Sequence, residues 1–246
     1  MESANASDRT KSHEPLRYSD AIRKFTTKHP EIFQSGSRFT VAKSSHRVKL
    51  PTNLNRELCW LVGLIQGDGN ISKTRILVSD STEEFHRTIS KCFQKQFGVN
   101  LNLFHDKNRN TFYSHTKSAV IAYFLAEVFD MTIGKKENVL VPKLIASASL
   151  ANRTAYLKGL FDAEGSVSQR QAAMYISTTS NEIAEFSFQT LAEIGVKSSV
   201  RSRQRPGRRP EYDVEVYGLN DVMKFLHNVG SDHITKANKL LAFAIH

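Results

Sequence analysis

Cysteine is scarce in this chain. Cys59 and Cys92 are the only two in 246 residues, so neither a disulfide framework nor a cysteine-based zinc centre is available. Long apolar runs are missing too. The longest, around VIAYFLAEVF, is too short to span a bilayer, and the amino terminus MESANASDRTKSHEP has no apolar core to act as a secretory signal. The nine histidines show no HExxH or HNH-type spacing and read as surface or core residues. Acids are also in short supply: 24 of them face 34 lysines and arginines, giving a net charge of +10 and a pI near 9.6. These absences describe an intracellular, reduced, soluble protein with no membrane partner. The charge points to a polyanion, nucleic acid before lipid, because no basic amphipathic lipid-binding helix is evident. A merely basic soluble protein is the plainer alternative.

What is present falls into three parts. Residues 1–50 form a basic amino-terminal extension, expected to be partly disordered. Within it SDAIRKFTTKHPEIF has the spacing of one short amphipathic helix ended by Pro30, and a basic linker follows with Arg38, Lys43, Arg47 and Lys49. That linker reads equally well as a DNA-contacting arm or as a solvated tail. After Pro51 the chain repeats itself. Leu61, Gly63, Leu64 and Gly69 recur as Leu157, Gly159, Leu160 and Gly165, QFGVN recurs as EIGVK, and IGKKENVL as ITKANKLL, at offsets of 96, 97 and 101. Three landmarks in one order mark two copies of one unit, 51–150 and 151–246. In each copy a motif helix (about 55–68 and 153–164) leads into two short strands, an amphipathic helix, a hairpin and a closing helix. The order is αββαββα, twice: an α+β chain with two antiparallel sheets.

The motif helices LVGLIQGDG and LKGLFDAEG raise a physical question, since each packs apolar bulk around small residues and ends on an acid before glycine. Gly63 and Gly67, like Gly159 and Ala163, lie four apart and share one helix face, which lets two helix backbones approach closely. Packed in parallel, the helices bring Asp68 and Glu164 side by side at two negative dipole ends. Such a pair repels itself when empty and favours a hard divalent cation such as Mg²⁺. Gly69 and Gly165 are expected to end the helices as glycine turns. One Asp-Gly ending is ordinarily just a helix end; two copies with the same small-residue face are harder to explain that way.

These two motifs resemble those of single-chain LAGLIDADG homing endonucleases, the intracellular DNA-cleaving enzymes of mobile introns and inteins. The resemblance runs from about Leu50 to the end and includes IGKKENVLVP and GSDHITKANKL. It implies a pseudo-two-fold saddle of two αββαββα units, a monomer that straddles double-stranded DNA at a long, imperfectly palindromic target. The acid at the eighth motif position binds the metal in that family, which places the catalytic and metal-binding role on Asp68 and Glu164. Gly67 and Ala163 would add backbone carbonyls. The implied reaction is Mg²⁺- or Mn²⁺-dependent hydrolysis of both strands across the minor groove, leaving short 3′ overhangs.

The chain departs from the family where a lysine often follows the second strand of each unit: those positions hold Ser81 and Thr179. Lys73, Arg75 and Arg170 are the candidate substitutes. Asp80 and Thr178 are candidate water-orienting groups or simply residues at a helix start, and Gln66 stands where the second motif has Asp162. For DNA contacts, Arg201, Arg203 and Arg205 alternate on one strand face about 6.8 Å apart, with Arg208 and Arg209 at the turn. The first two are expected to read bases and the last two to hold phosphate. In the first unit Asn100, Asn102, His105, Lys107 and Arg109 are the corresponding candidates. Two other functions stay open on the same fold: a catalytically inactive DNA-binding regulator and an intron RNA maturase. An intein is disfavoured by the starting methionine and by an ending, AFAIH, without asparagine.

Overall fold

The computed structural model describes residues 17–35, 38–41, 47–136 and 139–245. The first 16 residues and Lys43 of the basic extension lie outside these.

Two units of the same order build the chain. In the first, α2 (Arg56–Asp68) leads into β4 (Gly69–Ser72), β5 (Arg75–Asp80), α3 (Glu83–Phe97), β6 (Asn102–Asp106), β7 (Thr111–Lys117) and α4 (Ala119–Val128). A short α5 (Lys143–Ala146) connects them. The second unit has α6 (Leu150–Glu164), β8 (Gly165–Ser168), β9 (Ala173–Thr178), α7 (Asn181–Glu193), β10 (Ser199–Arg203), β11 (Glu211–Tyr217) and α8 (Leu219–Asn228), and adds α9 (Ile234–Leu241). The sheets are antiparallel with matching orders, β4-β5-β7-β6 and β8-β9-β11-β10. The expected α+β duplication is therefore the observed architecture, with α9 as an extra element. The landmark IGKKENVL is not helical where described, whereas its counterpart ITKANKLL is α9.

Alternation places the site. In β5, Ile76 and Val78 are buried against the helices, so Arg75, Leu77 and Ser79 look the other way. In β9 the same rule buries Met174 and Ile176 and turns Tyr175 and Ser177 outward. Each sheet thus has one face on the core and one open face. The core forms two clusters, with the first reaching across to Tyr156 and Leu160 of α6.

The amino-terminal extension is more ordered than its composition suggests. Helix α1 (Tyr18–Lys28) is followed by β1 (Ile32–Ser35), β2 (Arg38–Val41) and β3 (Val48–Lys49), a three-stranded antiparallel sheet. The expected linker therefore holds two strands, because Phe39 and Val48 are buried in the first core together with Phe25. Helix α1 and strand β2 pack on α4, and β3 on α3, so this layer covers helices and not the open sheet face.

The extension also carries an ionic clasp around the buried His29. His29 lies between Glu31 (Nδ1 to Oε1, 2.7 Å) and Glu127 of α4 (Nε2 to Oε1, 2.6 Å), with its ring stacked on Tyr123. Burial works against the imidazolium, but hydrogen bonds to the two glutamates outweigh it and raise the His29 pKa above the ordinary 6.5. Its hydrogen bond to His29 lowers Glu31. Burial opposes ionisation of Glu127, but bonds from Lys28 and His29 prevail and lower its pKa. A raised histidine stabilises below its unfolded value and loses that contribution as pH rises through the folded one, while the lowered carboxylates lose theirs in acid. The clasp is thus strongest between about pH 4.5 and 6.5. Melting curves across pH should show wild type losing more stability than His29→Gln on going from pH 6 to pH 9. Parallel curves would mean that His29 does not titrate with folding.

Candidate functional site

The two motif helices, α2 and α6, pack together through their glycines. A Cβ on Gly63 would lie 2.2 Å from the Tyr156 carbonyl oxygen, and one on Gly159 would lie 2.0 Å from that of Trp60. A Cβ on Gly67 would meet that of Ala163 at 2.4 Å. Nothing larger than hydrogen fits at these crossings, which is the close approach the four-residue spacing predicts. Helix α2 starts on Asn55, whose side-chain oxygen accepts from the Leu58 amide at 2.9 Å.

The helix ends differ from expectation in one respect. Gly69 and Gly165 have φ of −85° and −79°, extended backbone and not the left-handed turn. They are glycines because a Cβ would lie 2.5 Å from the Ile65 carbonyl oxygen or 2.2 Å from the Phe161 ring. Each helix passes straight into the first strand of its sheet, which brings the preceding acid to the junction of helix and sheet.

Asp68 and Glu164 meet there. Both carboxyls are raised above the usual range, first by loss of solvation among the helix ends. The charge of Asp68 raises Glu164 further, and that of Asp80 raises Asp68. Two lysines compensate. Lys136 Nζ donates to the carbonyls of Ile65, Gln66 and Gly67 at 3.1, 2.8 and 2.6 Å. Lys236 Nζ repeats the pattern on Phe161, Asp162 and Ala163 at 3.0, 2.7 and 2.8 Å. Each ammonium caps the unsatisfied carbonyls at a negative helix end. Burial pushes Lys136 down to about 8 and lowers Lys236 as well, although the acids pull both upward.

The capping is crossed. Lys136 caps α2, and its first counter-charge is Glu164 of α6; Lys236 caps α6, faces Asp162 of that helix first and Asp68 of α2 next, and is the first counter-charge on Asp68. Glu164, Lys136 and Thr178 line one cavity of about 380 Å³ with Gly67, Arg203 and Arg205. Asp68 faces Lys236, Asp80, Lys136 and His233.

These lysines are the site residues that the sequence reading missed. Ser81 and Thr179 lie past the ends of β5 and β9, as expected, and neither is a lysine. Lys73 sits in the β4–β5 turn and Arg75 at the far end of β5 from Asp80, while Arg170 lies in the short 3-10 turn Gln169–Gln171. The signal was within the third repeat landmark, IGKK and ITKA, but one residue out of register: Lys136 corresponds to Lys236 at an offset of 100, not 101.

Gln66 and Asp162 turn out to be anchors for the lysine loops. Gln66 donates to the Leu140 carbonyl at 2.5 Å and accepts from Tyr156 Oη at 2.7 Å. Asp162, fully buried, accepts from Trp60 Nε1 at 2.7 Å, from Ser231 Oγ and from the Asp232 amide at 3.1 Å. Asp80 and Thr178 each accept from the amide two residues on, that of Thr82 (2.6 Å) and of Ser180 (3.1 Å), in the turns leading into α3 and α7. Asp80 alone has a second partner, His233 Nε2 at 3.1 Å. Burial opposes its ionisation, yet the His233 bond and charge prevail and lower its pKa.

The donor set fits a hard divalent cation: two carboxylates raised by lost solvation, the charge of Asp68 raising Glu164 further, with the lysine-capped carbonyls of Gly67 and Ala163 next to them. Among the described residues no cluster of three His, Cys, Asp or Glu side chains accompanies them. Water and a substrate oxygen would complete the shell, as Mg²⁺ usually requires.

Strand parity sorts the remaining candidates. Asn102 pairs with His115 and Phe104 with Tyr113 on the open face of the first sheet. His105 pairs with Phe112 on the opposite, helix-covered face, and its ring stacks on Phe112 at 4.1 Å. It therefore faces away from Asn102. Asn100 precedes β6, and Lys107 and Arg109 occupy the β6–β7 turn, all exposed. Arg201 and Arg203 share the open face of the second sheet, with Arg205, Arg208 and Arg209 following them in the exposed turn. The turn reaches the lysine loop, where Arg209 Nη1 donates to the Lys136 carbonyl at 3.4 Å.

Comparison with known proteins agrees with this layout. Residues 59–134 match the WhiA LAGLIDADG-like domain family, and residues 151–230 match the LAGLIDADG-like domain family. A Methanocaldococcus jannaschii protein named probable translation initiation factor IF-2 is 23% identical over 195 residues. That match takes in 76% of this chain but only 16% of the relative's length. The homing endonuclease I-DmoI, solved in complex with DNA and Mn, superposes with a TM-score of 0.56 at 19% identity, covering 74% of this chain and 99% of that one. Full-length DUF199/WhiA from Thermatoga maritima gives 0.51 at 14% identity, covering 76% and 61%. Among the described residues no helix is long and apolar enough to cross a membrane. Two glycine-packed motif helices, each ending on an acid and leading into its own four-stranded sheet, make this chain a two-motif member of the LAGLIDADG family.

Proposed function

We propose that this protein is a divalent-metal-dependent DNA endonuclease that hydrolyses both strands of a specific duplex. The observation that carries the reading is the crossed cluster Asp68, Glu164, Lys136 and Lys236 at two helix ends. Charge neutralisation at phosphate and activation of a water are what a Mg²⁺ or Mn²⁺ ion held by the two acids, with the Gly67 and Ala163 carbonyls, supplies. The protein's own residues do the rest. Each lysine holds a positive charge beside the acid of the opposite helix, where negative charge grows at a phosphate in the transition state. Asp80, fixed by Thr82 and His233, is placed to accept a proton from water or to orient it in one half-site. Thr178, with only a hydroxyl, is the counterpart in the other. The strand faces of the two sheets lie along the DNA, and the chain acts as a monomer because both units are present in one polypeptide.

The two half-sites are thus predicted to be chemically unequal. Lys236→Met and Lys136→Met should each slow hydrolysis of a different strand by about a hundredfold or more, the usual cost of removing one charge-stabilising group. Nicked product would then accumulate, with opposite strands cut in the two variants. Supercoiled and linear plasmid assays with strand-specific labels read this directly. Equal slowing of both strands in both variants would contradict the crossed assignment.

A second reading is favoured by the WhiA-type family match of the first unit and by the absence of lysines at Ser81 and Thr179: a DNA-binding regulator that does not cut. Incubating the protein with a randomised duplex pool and Mg²⁺, then sequencing the ends, separates the two. An endonuclease returns defined 3′-overhang ends at one sequence; a regulator enriches a sequence and leaves it intact.

A further inference from the structure

The open face of the second sheet is not the bare basic comb its sequence suggests. Strand β11 presents Glu211, Asp213 and Glu215 on that face, directly opposite Arg203, Arg201 and Ser199 of β10. Each arginine leans one pair along the ladder. Arg201 Nε reaches Glu215 at 3.9 Å, Arg203 Nη2 reaches Asp213 at 2.7 Å and Arg205 Nη2 reaches Glu211 at 3.4 Å, while Arg203 Nη2 also lies 3.9 Å from Glu211 directly opposite. The arginines stand exposed, whereas the side chains of Asp213 and Glu215 are only 8% and 7% exposed beneath them. Ser177 Oγ adds a bond to Asp213 at 2.7 Å. On the first sheet, the strand in the position of β11 carries Thr111, Tyr113 and His115 instead.

Buried carboxylates are a poor choice for a surface whose task is only to hold phosphate. Burial costs free energy unless each acid is paired, and three acids cancel the charge with which three arginines would displace counterions. What the lattice gains is direction. A guanidinium carries five donors in one plane, so an acid engaging one edge holds the other edge in a fixed orientation. The same acid repels a phosphate from that position, while guanine O6 and N7 are uncharged acceptors that match the fork.

We propose that Asp213, Glu215 and Glu211 are positioning residues that determine sequence specificity, restricting Arg203, Arg201 and Arg205 to guanine. The second unit then reads a G·C-rich half-site through arginines held from behind. Asp213 and Arg203 form the central rung, since theirs is the shortest of the four contacts and the acid is also fixed by Ser177. The inference rests on the DNA-binding reading above.

The test is a binding selection on a randomised duplex pool in Ca²⁺, comparing wild type with Asp213→Asn and Arg203→Lys. Wild type should enrich guanine about tenfold at one position of the site. Arg203→Lys keeps the charge but loses the planar fork, and should remove that enrichment. Asp213→Asn should reduce it below about threefold at the same position only, while total DNA bound holds or rises as a negative charge is lost. Undiminished guanine enrichment in Asp213→Asn would overturn the proposal, as would an equal loss at every position, the mark of a merely structural role. Failure of wild type to bind any duplex would remove the DNA-binding reading itself, an outcome visible in total binding before any base preference is scored.

Discussion

Replacing Asp68 by Asn, or Glu164 by Gln, is expected to lower double-strand cleavage by at least about a thousandfold, the worth of several kcal/mol of charge stabilisation in the transition state. Each substitution keeps shape and removes the charge that a hard cation requires. DNA affinity measured in Ca²⁺ should stay near wild type, because the loss falls on the chemistry and one less negative charge faces the phosphates. Both carboxyls already sit above the usual range through lost solvation, and Glu164 further through the Asp68 charge. Neutralising one should therefore leave the fold at least as stable. A variant that cuts at the wild-type rate would rule out the paired-acid site, and one that melts much earlier would show that the acids serve the fold.

The largest effect on stability belongs to the helix crossing. Gly63→Ala and Gly159→Ala should each destabilise the protein by about 3 kcal/mol, at the upper end of overpacking costs. For a chain of this size that is roughly 6–12 °C in melting temperature. Alanine is the better helix former by about 1 kcal/mol, so helix preference alone predicts the opposite sign. The clash decides because the new methyl would meet backbone, the Tyr156 and Trp60 carbonyl oxygens at 2.2 and 2.0 Å, which no rotamer change relieves. Separating the helices also separates Asp68 from Glu164, so activity should fall with stability. An unchanged melting temperature in both variants would mean the helices do not cross at these glycines.

The parts that were legible from sequence are those that recur locally. The glycine pairs, the acid-Gly endings and the strand alternation each depend on neighbours a few residues apart, and the duplication shows them twice. The parts that were not legible depend on distant partners. Lys136 and Lys236 reach back about 70 residues to their helix ends from loops with different structures, one partly irregular and one entering α9. A single-residue shift in the repeat alignment was enough to hide their equivalence. Gly69 and Gly165 looked like left-handed caps, but the need for glycine comes from the Ile65 carbonyl and the Phe161 ring. His105 was a DNA-contact candidate from its place in the hairpin, although parity from Asn102 puts it on the other face. The acids beneath the arginines were plain in the sequence as EYDVEVY, yet only the register of β10 against β11 pairs them. The extension looked polar and mobile because the few apolar residues that dock it, Phe25, Phe39 and Val48, are spread thinly.

The central claim is that Asp68 and Glu164 hold a catalytic cation between two helix ends. Anomalous diffraction from crystals of the protein bound to its DNA target and soaked with Mn²⁺ tests it most directly. The expected result is strong density within about 2.2 Å of both carboxylates, the usual reach of hard oxygen ligands to a small divalent ion, lost in Asp68→Asn. Bound, uncut DNA with no anomalous density at the two acids, and Lys136 and Lys236 still capping the helix ends, would contradict it.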